Sequence, residues 1–156
     1  MSKEPKFQVL ESFGKIELRF YEPFLVAEVE TSGERKEAIR DGFRLLADYL
    51  FGNNNASKRL PMSIPVTQQE KGDRWKIRFM LAKESHLENL PKPNNTVVKL
   101  LKIPAQKFAV IRFSGSPNDE KIQLQTEKLQ NFANSHQWRV TGSPILAFYN
   151  PPRYRQ

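Results

Sequence analysis

The strongest constraint in this sequence is a pattern that occurs twice. Phe24-Leu25-Val26-Ala27-Glu28-Val29 leads through Ser32-Gly33 into a segment of helical period over 35–51, and Pro65-Val66 opens a returning strand. Phe108-Ala109-Val110-Ile111-Arg112-Phe113 leads through Ser114-Gly115 into a second helical segment that fades near Ser135, and Pro144-Ile145 opens its return. A chain that repeats strand, turn, helix and strand at similar spacing folds most simply by pairing the strands of both units. The expectation is an α+β fold: one antiparallel sheet, curled into a distorted barrel, with two helices outside. The pattern predicts a single domain over 1–156, with 1–14 as an N-terminal lead segment.

Local signals fill in the rest. Over 15–21, Ile16, Leu18 and Phe20 alternate with Lys15, Glu17 and Arg19, which predicts a half-buried strand with its charges in solvent. Segments 62–69 and 74–81 flank Glu70-Lys71-Gly72-Asp73 as a hairpin, and 97–103 with 107–114 make another strand pair around Pro104. Ser116, Pro117 and Asp119 have the order of a helix cap, first-turn proline and capping acid. Pro144 to Tyr149 is a last strand, and Pro151-Pro152 ends regular structure.

Composition narrows the function. There is no cysteine, which removes disulfides, thiolate zinc sites, iron–sulfur clusters and cysteine nucleophiles together. Eleven Phe, four Tyr and two Trp supply enough apolar area for a core without any staple. No apolar run approaches membrane-span length, and Met1-Ser2-Lys3-Glu4-Pro5-Lys6 lacks the apolar stretch of a secretory signal. The expected location is therefore cytoplasmic, or periplasmic if a leader has been removed. Twenty-five basic against 17 acidic residues give +8, which favours an anionic partner.

Nucleic acid is the poorer fit for that partner. In 74–79, Trp75, Ile77 and Phe79 face one side of a strand while Lys76 and Arg78 face the other. A base-stacking platform needs rings and cations on one surface. Catalysis also finds little footing. His86 and His136 stand outside any metal-ligand spacing, no nucleophile-elbow pattern occurs, and Gly33 and Gly115 lack the further glycines of a phosphate loop. His136 is placed to interact with a helix C-terminus. Glu28 and Glu30 share a strand face and read as solvent-exposed, although an inward Glu28 would suit a cationic drug.

The first helix carries more than a core stripe. Ala38, Gly42, Leu45, Leu46 and Tyr49 centre on one side, enough to dock on a sheet. Phe43, Ala47 and Phe51 extend the apolar surface along a flank, with Arg40 among them. Either a neighbouring loop covers these rings, or they form a flat apolar groove with a cation at its rim, suited to an anionic aromatic ligand.

Several blocks resemble the SOUL family of heme-binding proteins. They include Ile16-Glu17-Leu18-Arg19-Phe20-Tyr21-Glu22-Pro23-Phe24-Leu25-Val26-Ala27, then Gly42-Phe43-Arg44-Leu45-Leu46-Ala47-Asp48-Tyr49-Leu50-Phe51-Gly52-Asn53-Asn54 and Met62-Ser63-Ile64-Pro65-Val66-Thr67. Leu90-Pro91-Lys92-Pro93, Ala109-Val110-Ile111-Arg112-Phe113-Ser114-Gly115 and Ala147-Phe148-Tyr149-Asn150-Pro151 follow in the family's order. The resemblance implies two β-α-β-β repeats forming a distorted antiparallel barrel flanked by two helices, a fold shared with bacterial effector-binding domains. It also implies binding of heme or another tetrapyrrole against the first helix, with Arg40 in register for a propionate and Phe43 for the ring face.

Three departures qualify what the resemblance implies. Phe20 stands where some members have a histidine thought to ligate heme iron, so no axial histidine is expected. Asp48 has the wrong sign for a second propionate clamp. The chain stops at Arg155-Gln156, before the family's usual final strand, so one barrel edge is expected to be missing. The expectation is a monomeric, non-enzymatic protein that binds a tetrapyrrole through Arg40, Phe43, Ala47 and Phe51 without metal ligation. Two alternatives remain: an effector-binding-type small-molecule module without tetrapyrrole preference, and charge-driven nucleic-acid binding.

Overall fold

Two prolines decide where the strands end. A computed structural model describes residues 4–82 and 86–149. The Pro151-Pro152 stop lies outside the described residues. The strands are β1 (Phe7–Phe13), β2 (Ile16–Tyr21), β3 (Phe24–Ser32), β4 (Ser63–Lys71), β5 (Arg74–Met80), β6 (Lys99–Ile103), β7 (Gln106–Ile111) and β8 (Ile145–Phe148). The helices are α1 (Arg35–Leu50) and α2 (Asp119–Ser135), with a 3-10 turn at Leu87–Asn89. In the β3–β6 ladder Phe24 faces Ile103, so one further step sets Pro23 opposite Pro104. Neither has an N–H to donate, and the ladder ends there.

The result is α+β, as the repeat predicts, with β3-α1-β4-β5 and β7-α2-β8 as its two copies. The strands form two sheets, β1-β2-β7 and β6-β3-β5-β4-β8, and are not closed into one barrel. That corrects the single curled sheet expected from the repeat. The chain divides accordingly into two compact units, Pro23–Pro104 with β8, and Lys6–Glu22 with Ala105–Pro144.

In the first unit α1 lies on the five-stranded sheet. Leu46, Tyr49 and Leu50 pack with Leu25, Ala27 and Val29 of β3, Val66 of β4, and Ile77 and Phe79 of β5. Gly42 permits the close approach: a Cβ there would stand 2.6 Å from Ile77 Cδ1. The other sheet face buries Val26, Met80 and Ile103. Glu28 shares that face and is buried, not solvent-exposed as the sequence suggested, because Arg78 Nε donates to its Oε1 at 2.8 Å. The neighbouring charge compensates a carboxylate that burial alone would disfavour.

In the second unit β1 falls within the expected lead segment and pairs with β2 along its length, with a bulge between Val9 and Glu11. Arg19, expected in solvent, is buried. Its Nε donates to Glu17 Oε1 at 2.8 Å, its Nη1 to the Tyr21 hydroxyl at 3.0 Å, and its guanidinium stacks 4.3 Å from the Phe7 ring centre. These contacts replace the water that the charge gives up. The α2 cap is Asn118, whose side chain accepts from Lys121 N at 2.8 Å, rather than Ser116. His136 does meet the helix end, with Nδ1 3.1 Å from the Phe132 carbonyl oxygen.

Candidate functional site

At 100° per residue Arg40, Phe43, Ala47 and Phe51 fall within an arc of about 80° on one flank of α1. The structure grades them from core to solvent. Phe43 is half-buried and meets Phe79 edge-on, ring centres 4.9 Å apart, so the sheet holds its inner side. Ala47 is half-buried against the same core. Phe51, the residue that ends α1, leaves 65% of its surface in solvent. Arg40 is exposed at the opposite end of the stripe, with Nε and Nη2 each 3.4 Å from Asp41 Oδ1. The stripe from Arg40 to Phe51 rises about 16 Å along the helix axis.

One residue of this region escaped the sequence reading. The chain leaves α1, turns through the asparagine-rich segment and returns, and this sets the Arg59 guanidinium 5.3 Å from the Phe51 ring centre. Leu60 was the available signal: it is half-buried against the α1 core, which brings its neighbour Arg59 back to the helix end.

None of Arg40, Phe43, Ala47, Phe51 or Arg59 offers a donor to a metal. His86 is exposed beside the 3-10 turn, and His136 belongs to the other unit, where it stacks on Phe132 with ring centres 4.0 Å apart. Among the described residues no group of three or more His, Cys, Asp or Glu could hold a metal ion. Phe20 lines a cleft of about 530 Å³ with Lys6, Phe7, Gln8 and Glu22. The Lys6–Glu22 ion pair at 3.5 Å neutralises that cleft's charges. The α1 flank therefore offers an apolar stripe with a cation at each end, Arg40 and Arg59, and none of its five side chains is a metal donor.

The fold is α+β, with antiparallel sheets of three and five strands and two helices. The profile of the SOUL heme-binding protein family matches residues 2–156, and the chain belongs to that family. No curated protein matches it. Among solved structures it is similar to one described as a hydrolase from Listeria innocua, with TM-score 0.65 and 13% identity over 87% of this chain and 86% of that one. At that identity the likeness speaks for the fold alone. No helix among the described residues is long and apolar enough to cross a membrane.

Proposed function

We propose that the chain binds heme or a related tetrapyrrole, without catalysis, on the α1 flank formed by Phe43, Ala47 and Phe51, with Arg40 at its rim. The observation that carries this is Phe51: a large apolar ring, 65% exposed, at the end of a stripe whose other apolar members, Phe43 and Ala47, already touch the core. A flat ligand laid on the stripe removes that area from water at about 25 cal/mol per Å². Family membership supports the ligand class. The stripe itself holds no nucleophile and no proton-transfer group, which favours binding over turnover.

Separate titrations of the purified chain with hemin, with metal-free porphyrin and with a cationic aromatic dye test this reading. Saturable binding of both tetrapyrroles at one site, with the dye weak or absent, is the expected result. Tight binding of the dye alone would favour the effector-binding alternative.

A further inference from the structure

We infer that Arg59, rather than Arg40, receives the ligand's carboxylates, so that a tetrapyrrole lies along α1 with its acidic edge at the helix's C-terminal end. This rests on the reading of the α1 flank as the tetrapyrrole site.

The two cations differ in how free their charge is. Both the Nε and Nη2 of Arg40 stand 3.4 Å from Asp41 Oδ1, so an incoming carboxylate meets a guanidinium already facing an acid. Arg59 has the Phe51 ring as its partner, and among the described residues no carboxylate lies within ion-pair distance of it. A guanidinium over an aromatic ring keeps its outward N–H groups for an anion.

The backbone around Arg59 is held in place. Asn54 is only 2% exposed. Its Nδ2 donates to Lys58 O at 2.9 Å and to Tyr49 O at 3.1 Å, and its Oδ1 accepts from Lys58 N at 3.1 Å and Ala56 N at 3.2 Å. On the other side of Arg59, Leu60 N donates to Leu50 O at 2.8 Å. Arg59 therefore sits between two residues tied to the helix end, and ordering it on a ligand costs less than ordering a free loop. Lys58 adds a second positive charge to the same turn.

A helix C-terminus ordinarily repels anions. Here its last carbonyls are already engaged: Ala47 O by Phe51 N, Asp48 O by Asn53 N, Tyr49 O by Gly52 N, and Leu50 O by Leu60 N. Little outward-facing carbonyl remains to oppose a carboxylate at Arg59.

The test uses the full chain and two probes, mesoporphyrin IX and its dimethyl ester, titrated against the wild type, Arg59→Gln, Arg59→Lys and Arg40→Gln. Arg59→Gln should weaken the free acid about tenfold and leave the ester within about twofold, with Arg59→Lys recovering part of the loss. Arg40→Gln should weaken the free acid less than Arg59→Gln does. Wild-type affinity for the free acid in Arg59→Gln, a larger loss in Arg40→Gln, or equal losses for acid and ester would each overturn the assignment to Arg59 while leaving the tetrapyrrole site standing. Failure of both porphyrins to bind the wild type would remove the site and the assignment together.

Discussion

Arg78 donates from Nε to Glu28 Oε1 at 2.8 Å across neighbouring strands β5 and β3, with the two side chains only 18% and 8% exposed. Removing one member strands the other charge in the sheet face. Arg78→Met should cost about 3–5 kcal/mol in urea unfolding, whereas Glu28→Leu with Arg78→Met should fall within about 2 kcal/mol of the wild type. If the single variant proved as mild as the double one, Glu28 would not depend on Arg78 for its burial.

Tyr49 is 1% exposed, and its hydroxyl donates to the Pro91 carbonyl at 2.7 Å. Burial pushes its phenol up from 10.0 to about 12. Because the folded-state value is the higher one, this group's stabilising contribution is complete below pH 10 and declines as pH rises towards 12. The loss across that window is on the order of 2–3 kcal/mol. Tyr49→Phe should be about 1–2 kcal/mol less stable at neutral pH, through the unpaired Pro91 carbonyl. It should also lose less stability between about pH 9 and about pH 12 than the wild type does. Parallel alkaline slopes for the two proteins would count against a buried phenol.

Gly42 marks where α1 comes closest to the sheet. Its added Cβ would lie 2.6 Å from Ile77 Cδ1 and 3.3 Å from Ile77 Cβ. Gly42→Ala should therefore destabilise by about 1–3 kcal/mol, despite alanine's better helix propensity of about 1 kcal/mol. Adding Ile77→Val, which removes Cδ1, should restore part of the loss. A Gly42→Ala protein as stable as the wild type would mean that the helix can lift without cost.

For a tetrapyrrole on the proposed α1 site iron should contribute little to binding, since none of Arg40, Phe43, Ala47, Phe51 and Arg59 is a metal ligand. Hemin and metal-free porphyrin should bind with affinities within about tenfold of each other. Combining His86→Ala with His136→Ala should leave both nearly unchanged. A low-spin bis-histidine spectrum, or loss of hemin but not porphyrin binding in the double variant, would move the site to a histidine.

The elements legible in the sequence were those whose signals are local. The alternation of β2, the hairpin turn between β4 and β5, and the apolar face of α1 all show within a few residues. What was not legible depends on partners far along the chain. Alternation tells that Glu28 and Glu30 share a face, but not that the face is buried, so Arg78 across the strand pair stayed invisible. Arg19 was hidden for the same reason, its partners including Phe7 on another strand. The bulge between Val9 and Glu11 breaks the period-two phase of β1, so alternation gave no strand signal within the expected lead segment. The end of the β3–β6 ladder at Pro23 and Pro104 follows from a register that neither segment specifies alone.

The same division holds at the candidate site. The stripe of Arg40, Phe43, Ala47 and Phe51 was readable because it needs only helical geometry. Its inner edge, fixed by Phe79 of β5, and its far cation, Arg59, come from the sheet and from the returning loop.

The most direct test of the central claim is the affinity of metal-free porphyrin for Phe51→Glu compared with the wild type. Phe51 is exposed, so its replacement should leave the unfolding free energy within about 1 kcal/mol of the wild type. A tetrapyrrole lying on the α1 flank loses its largest apolar contact and meets a new negative charge, and binding should weaken at least about tenfold. Undiminished porphyrin affinity in a folded Phe51→Glu protein would contradict the account and place the ligand away from α1.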